Sequence, residues 1–393
     1  MEKTIKDLDI YISDGNYSSK YPRSEEFVKE GIPFIRGNNM VDGDISDDEM
    51  YYITPEKHAI LLKGHVKAGD VLITTRGNIG QVAIVPERHE DSNINAQIVL
   101  LRTNSKSLYN RYLLWALQSH RANEQYIALQ TGTALKQLPV GKLEKLSIKV
   151  ADIDEQHDIA NTLDKVYEVI KERRKELLLL DNLIKARFVE MFGIPIANTN
   201  NWPMDKAENL CTLVTDGSHF SPKACEEGYP MLSVKDMRQN GFDYSDCKLV
   251  DDETFEILKK QGCVPQADDV LIAKDGSYFT RAFAITEYKD QAILSSIGMY
   301  RPDIDKILPR FLASYLMTNE VIEFVNRGYV TGTALRRVII KGLKNIPVYM
   351  PPMELQKEFV QFAEQVDKSK VVVKKALEQA QLLFDSLMQE YFG

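Results

Sequence analysis

Two sets of polar and basic residues lie on turns rich in Gly and Asn, and their types suit hydrogen bonding to a polar polymer rather than bond making. In the first half of the chain they are Asn16, Lys20, Arg36, Asn38, Asn39, Arg76, Asn78 and Lys136. In the second half they are His219, Lys223, Lys235, Lys274, Ser277, Tyr278, Arg281, Arg336 and Arg337. Arg and Lys suit the acceptors of guanine, and Asn suits adenine, so either set could read base edges in a groove. Taken singly, each residue also reads as a solvated loop position or a phosphate contact. As sets they say more, because they occupy corresponding loops of two copies while differing in type. Lys136, Arg336 and Arg337 directly follow a repeated segment, which favours phosphate positioning over base reading for these three.

No residue pattern points to catalysis. The chain lacks an Asn/Asp-Pro-Pro-aromatic motif, a Gly-x-x-x-x-Gly-Lys-Ser/Thr phosphate loop and a nuclease-like run of carboxylates ending in Lys. Met350-Pro351-Pro352-Met353 has neither the polar residue before the prolines nor the aromatic after them. His58, His65, His89, His120 and His157 have no partners nearby in sequence and are expected to be structural or surface residues. Cys211, Cys225, Cys247 and Cys263 lack the short spacings of a zinc site and are expected to be reduced thiols. The formal charge of -8 argues against strong free-standing affinity for nucleic acid, but not against local basic surfaces. No segment approaches the roughly 20 apolar residues of a membrane span, and the N-terminus has no apolar signal core, so a cytoplasmic protein without membrane contact is expected.

The elements that must position these loops come in duplicate. Thr131-Gly132-Thr133-Ala134-Leu135 recurs unchanged as Thr331-Gly332-Thr333-Ala334-Leu335, and matches at the same 200-residue offset continue to Phe192-Gly193 and Phe392-Gly393. Upstream, Gly31-Ile32-Pro33-Phe34-Ile35 corresponds to Gly228-Tyr229-Pro230-Met231-Leu232, and Asp70-Val71-Leu72-Ile73 to Asp269-Val270-Leu271-Ile272. Gly69 to Val85 predicts a hairpin with a polar Gly/Asn tip, and Ile98 to Arg102 another strand. Arg111 to Gln130 has helical spacing, ended by the Thr-Gly-Thr element, in which Gly132 is either a left-handed helix cap or a backbone amide contact to phosphate. Leu146 to Val150 predicts a final strand. The tips have diverged, with Arg76-Gly77-Asn78-Ile79 facing Asp275-Gly276-Ser277-Tyr278.

Each copy ends in a long heptad-patterned segment. Asp152 with Glu155 predicts a capped start for the first, and Pro351-Pro352 precede the second. Counting Gln156 and Gln356 as position a, the pairing residues are Ile159, Leu163, Val166, Ile170, Leu177, Leu180 and Ile184, with Phe359, Ala363, Val366, Val373, Leu377, Phe384 and Leu387. Polar exceptions do not coincide: Arg173 and Arg187 correspond to Val373 and Leu387, and Lys370 to Ile170. Each helix therefore suits the other better than a copy of itself, and antiparallel pairing within one chain is expected. The resulting fold class is α+β: two duplicated α/β domains separated by two long helices packed as an antiparallel intramolecular coiled coil, with pseudo-twofold symmetry. The segments are 1–150, 151–193, 194–350 and 351–393.

With this duplication, the Thr-Gly-Thr-Ala-Leu element and Pro-Pro-Met-Glu-Leu-Gln before the second helix, the chain resembles the specificity subunits of Type I restriction-modification systems along essentially its whole length. The turn before the first helix, Val150-Ala151-Asp152-Ile153-Asp154, departs from the Pro-rich turn usual there. The resemblance implies two target recognition domains, each reading half of a bipartite double-stranded DNA site. It implies helices that set the gap and dock two methyltransferase subunits, with restriction subunits joining the nuclease form. It also implies a non-catalytic chain with no cofactor of its own; S-adenosylmethionine, ATP and magnesium would belong to the partner subunits. The competing expectation is a coiled-coil adaptor with two protein-binding heads, for which divergent polar tips on a shared scaffold have no clear use.

Overall fold

The computed structural model describes residues 1–15, 19–103, 106–133, 135–275, 281–331 and 337–393. The chain forms two compact units, one of Met1–Arg174 with Lys375–Gly393 and one of Lys175–Lys374. Each unit contains one copy of the duplicated domain and about half of each long helix.

In the first unit the main sheet runs in the order Ile10–Asp14, Ile98–Thr103, Val71–Thr74, Val82–Ile84, with every neighbouring pair antiparallel. Val71 to Ile73 and Ile98 to Leu101 are fully covered, because this sheet is packed on both faces. A three-stranded sheet, Tyr51–Ile53, Ile32–Ile35, Asn93–Ile94, has its last pair parallel. Glu2–Thr4 pairs with Ser147–Lys149 and closes the domain. The second unit repeats each sheet. Cys211–Asp216, Ile297–Pro302, Val270–Ala273 and Ala282–Ala284 form its four-stranded sheet. Lys248–Val250, Tyr229–Leu232 and Ala292–Ile293 form its three-stranded one, and Met204–Lys206 pairs with Pro347–Tyr349.

Buried ion pairs are part of the duplicated scaffold. Arg102 Nε and Nη2 each donate to Asp70 at 2.7 Å, and Arg301 donates to Asp269 at 2.8 Å in the same fork. Both carboxylates are covered, and each takes a further backbone donor, Lys67 N–H at 2.8 Å or Gln266 N–H at 2.7 Å. A covered charge satisfied in this way holds the base of the hairpin without an orphaned group.

The single helix expected over Arg111 to Gln130 is two, Asn110–Gln118 and His120–Leu129. Ser119 breaks it by taking an extended backbone and accepting from Ala122 N–H, so it serves as N-cap of the second piece. The break lets both pieces bury aromatic residues, Tyr112 and Trp115 on one and Tyr126 on the other.

The long helices span Ile153–Phe192 and Met353–Phe392, 40 residues each. Glu155 N–H donates to Asp152 Oδ1 at 2.9 Å, so Asp152 does cap the first. Gln156 and Gln356, the polar starts of the heptads, are buried clamps. Gln156 accepts from Tyr109 N–H at 2.8 Å and donates to Ser107 and Ala151 carbonyls. Gln356 accepts from Leu308 N–H at 2.9 Å and donates to Lys306 and Pro351 carbonyls. Each glutamine therefore ties its long helix to the entry of the preceding short one.

Within each unit the helix segments run antiparallel. In the first unit Tyr167 lies 5.6 Å from Phe384 between ring centroids, and Arg174 donates to Gln381. In the second, Asp181 meets Lys370 at 2.6 Å and Arg187 meets Glu358 at 3.0 Å. None of the heptad a and d residues named above as apolar partners is exposed. Toward Phe192 the buried stripe leaves the heptad: Phe188 and Phe192 are covered while Arg187, at d, pairs with Glu190 and Glu358 at the surface. A straight helix drifts about 20° per heptad from a 3.5-residue repeat. Here the drift turns the phenylalanines onto Phe311, Phe359 and Tyr349.

Candidate nucleic-acid interface

In the first unit the tip between Val71–Thr74 and Val82–Ile84 is fixed from below. Gly80 N–H donates to Thr74 O at 3.0 Å, Gln81 N–H to Thr74 Oγ1 at 3.0 Å, and the Thr74 hydroxyl to Asn78 O. Arg76 and Asn78 are exposed on it. The repeat loop closes on itself through Thr131 and Gln137, which exchange backbone bonds of 2.9 and 3.0 Å. It is pinned to the tip by a bridge between Arg76 and Gln137 and by Leu138 N–H on Thr75 O at 2.9 Å. Lys136, exposed, is thereby brought beside Arg76. Asn38 is exposed on the turn of Gly37–Asn39, and a Cβ at Gly37 would lie 3.3 Å from Thr74 Cγ2, so this turn abuts the hairpin. Asn38, Arg76, Asn78 and Lys136 thus share one rigidly supported patch. Lys20 is exposed on the chain after Ile10–Asp14, while Asn16 lies outside the described residues.

Three first-unit expectations change. Asn39 is fully covered: its Oδ1 accepts from Arg36 N–H at 3.1 Å and its amide donates to Ser46 and Asp48 carbonyls, so it shapes the turn and has no face for a base. Arg36 is half-buried, lies 3.5 Å over the Tyr51 ring and donates to Glu49 O at 2.7 Å, so it too is held within the protein. Gly132 is not the helix cap. The helix ends at Leu129 with extended backbone at Gln130, and Gly132 is needed further on, where φ is +92° and a Cβ would sit 2.4 Å from Leu135 O.

The second unit rebuilds the same junction with charge. Asp275 bridges Arg337, Arg337 Nη2 lies 2.9 Å from Asp275 Oδ2, and Val338 N–H donates to Lys274 O at 2.9 Å. Lys274 is buried, with its ammonium 3.0 Å from Asp216, so it is an internal counter-ion rather than a DNA contact. His219, exposed, lies 3.2 Å from the same Asp216. Lys235 is exposed but donates to Asp246 O at 3.1 Å, and Arg281 donates to Met237 O at 2.8 Å. Lys223 is exposed. Ser277, Tyr278 and Arg336 lie outside the described residues, as do Gly332 to Leu335 of the repeat.

The sequence reading missed what folds against the cations: Asp216, Asp275 and Gln137 are remote from their partners along the chain, and no local pattern marks them. It also left the histidines unpartnered, whereas His58 and His65 both face Asp91, His89 faces Asp47 at 3.0 Å and His157 packs on Tyr109. The cysteines are free thiols, and burial pushes Cys211 up to about 12.

A duplicated scaffold presenting unlike polar tips defines a two-domain sequence reader. The chain belongs to the family described as the Type I restriction modification DNA specificity domain, which matches residues 2–179 and again 201–381. A putative type I restriction enzyme MjaX specificity subunit of Methanocaldococcus jannaschii is 23% identical over 380 residues, covering 89% of this chain and 84% of the relative. The Type I restriction enzyme EcoBI specificity subunit of Escherichia coli is 24% identical over 171 residues, covering 42% and 35%. Among solved structures, the Type I restriction-modification S subunit from M. genitalium aligns over 100% of this chain and 96% of its own, with a TM-score of 0.57 at 16% identity. A structure described under complex assembly and conformational transition of the type I R-M system gives 0.55 at 17% identity, covering 100% and 97%. The role is DNA recognition without catalysis, within a complex with other subunits. No helix among the described residues is long and apolar enough to cross a membrane.

Proposed function

We propose that this chain gives a Type I restriction-modification complex its sequence choice, with each duplicated domain reading one half of a split site in double-stranded DNA. The observation that carries this reading is the repeated junction at the base of the hairpin, where the bridges Arg76–Gln137 and Asp275–Arg337 and the backbone bonds Leu138–Thr75 and Val338–Lys274 are alike in both copies but carry unlike residues. In the first domain Asn38, Arg76 and Asn78 read bases and Lys136 contacts phosphate. In the second, Lys223, His219 and the tip residues Ser277 and Tyr278 are the counterparts, with Arg336 and Arg337 at phosphate.

The long helices set the gap: 40 residues extend roughly 60 Å, beyond one DNA turn of about 34 Å. Their outward apolar residues, Leu178 and Leu179 in one unit and Leu382 and Leu383 in the other, are over half exposed and suit docking of two methyltransferase subunits. Those subunits supply S-adenosylmethionine chemistry, and restriction subunits supply ATP- and magnesium-dependent cleavage; the whole assembly works in the cytoplasm.

The test is to co-express the chain with a cognate methyltransferase subunit and map methylated bases. A split motif with a fixed gap is expected, and R76A/N78A should change only one half of it. One continuous motif, or changes in both halves, would overturn the reading.

A further inference from the structure

Three side chains outside the proposed DNA-reading surface, His58, His65 and Asp91, converge. His58, on the helix Pro55–Ile60, places Nδ1 2.5 Å from Asn93 Oδ1; in the tautomer that donates through Nδ1, Nε2 keeps its lone pair. His65 places Nε2 2.5 Å from Leu61 O, an acceptor only, so Nε2 donates and Nδ1 keeps its lone pair. Both lone pairs face one carboxylate: His58 Nε2 is 3.4 Å from Asp91 Oδ2 and His65 Nδ1 is 3.8 Å from Asp91 Oδ1. Asp91 reaches this position from a left-handed backbone, φ +61°. With both imidazoles neutral, three acceptors face one another, an arrangement that a proton or a bound cation relieves.

We propose that His58, His65 and Asp91 form a binding site for a divalent transition-metal ion of the zinc class. One ligand atom from each lies within 4.8 Å of the others. Zinc–ligand distances of about 2.0–2.1 Å place tetrahedral ligands roughly 3.4 Å apart, so the longest edge must shorten by up to about 1.4 Å, a movement open to Asp91 because its side chain is 73% exposed. The outer nitrogens already donate to carbonyl-type oxygens, which is the support that fixes the tautomer of metal-bound imidazoles. Two nitrogen ligands favour zinc, nickel, copper or iron over magnesium and calcium, which take oxygen.

The second copy of the domain is an internal control. Phe34 pairs with Asn93 as Met231 pairs with Ala292, and Ile94 N–H meets Gly64 O as Ile293 N–H meets Cys263 O. Helix caps Thr54 and Asp251 align the two helices. His58, His65 and Asn93 therefore stand where the other copy has Phe255, Val264 and Ala292, all buried in an apolar cluster. The fold is complete without the imidazoles, so their presence in one copy asks for a separate reason. A bound ion would join the helix Pro55–Ile60, the segment at His65 and the turn at Asp91.

The test uses the full chain freed of metal by chelation. Zn²⁺ is titrated by calorimetry, Co²⁺ by its visible d–d absorption, and thermal unfolding is followed through 5-fluorotryptophan at Trp115. The wild type is compared with H58F/H65V, which installs the residues of the second copy, and with D91N. One saturable equivalent is expected beyond what H58F/H65V binds, with an affinity at least about tenfold above D91N. Zn²⁺ should also raise the transition seen at Trp115 in the wild type alone. Equal binding by wild type and H58F/H65V, or an unmoved Trp115 transition in saturating Zn²⁺, overturns the proposal. If H58F/H65V fails to fold, D91N decides: binding equal to wild type counts against the site.

Discussion

Lys370 occupies a core position of the second long helix with its side chain 5% exposed. Its ammonium lies 2.6 Å from Asp181 and 3.3 Å from Asp367, and Asp367 is also held by Arg310 at 2.7 Å. At 2.6 Å, opposite charges attract by roughly 6 kcal/mol in an effective dielectric near 20. Much of that is cancelled by desolvation of both ions, so the net value of the pair is small while the cost of breaking it is large. K370I leaves Asp181 unpaired. A fully buried orphan costs about 3–5 kcal/mol; the Asp181 side chain keeps 18% exposure, so the expected loss is roughly 2–3 kcal/mol. D181Q leaves Lys370 on Asp367 and should cost only about 1 kcal/mol.

The corresponding positions of the other unit carry Ile170, fully covered, and Gln381. K370I/D181Q copies that solution and should return to within about 1 kcal/mol of wild type, a coupling of roughly 2 kcal/mol. The two tryptophans make this measurable by unit, since Trp115 lies in the first and Trp202 packs on the core of the second. Urea unfolding followed by fluorine NMR of 5-fluorotryptophan should show K370I lowering the midpoint at Trp202. A K370I loss under about 0.5 kcal/mol, or a double variant as unstable as the sum of the singles, refutes the view that this pair specifies the helix seam.

Other outcomes follow from the same contacts. D70N strips the charge from a covered carboxylate facing Arg102 and should destabilise the first unit by about 3 kcal/mol at the Trp115 resonance; D269N should do the same at Trp202. G132A forces a Cβ onto Leu135 O and should disorder the repeat loop, raising amide exchange across residues 131–137 while the Trp115 midpoint moves by less than about 1 kcal/mol. Because burial holds the Cys211 thiol near 12 instead of 9.0, its thiolate at pH 8 is about a thousandfold scarcer than an ordinary one. Its alkylation by iodoacetamide should be far slower than that of Cys225 and should keep rising with pH through 10; equal rates at pH 8 would contradict the burial.

How much of this was legible in the sequence depended on range. Hairpin, strands and long helices were readable because their periodicity and turn residues act over a few positions, and because duplication supplied each pattern twice. The break at Ser119 was not, since apolar spacing continues across it and only the hydroxyl capping Ala122 reveals it. Heptad counting placed the seam but not its drift toward Phe188 and Phe192, which arises where the helix meets Phe311 and Tyr349 of the domain core as well as Phe359 of its partner. The polar tips were located, yet which of their cations remain available was not. Asp216 neutralises Lys274 and Asp275 pairs with Arg337 from far along the chain, and such pairings exist only once the sheet has formed.

The duplication also separates scaffold from site more sharply than composition can. Where both copies keep the same buried polar arrangement, as at Asp70–Arg102 with Asp269–Arg301 or at Gln156 with Gln356, the polarity serves the fold: every donor is matched and the geometry recurs. Where one copy is polar and the other apolar on the same backbone, the shared fold does not require the polarity, which serves either a pairing private to that copy, as Lys370 with Asp181 against Ile170, or a ligand. His58, His65 and Asn93 against Phe255, Val264 and Ala292 are such a set: Asn93 is buried and the two histidines half-buried, and a polar group drawn out of water with no structural requirement costs stability unless something binds it. The tips form a third case, polar in both copies but different, as expected where one scaffold must meet two different sequences. Exchanging residues between copies at these positions therefore distinguishes the three: the first kind should unfold when made apolar, the second should fold without its ligand, and the third should fold with altered recognition.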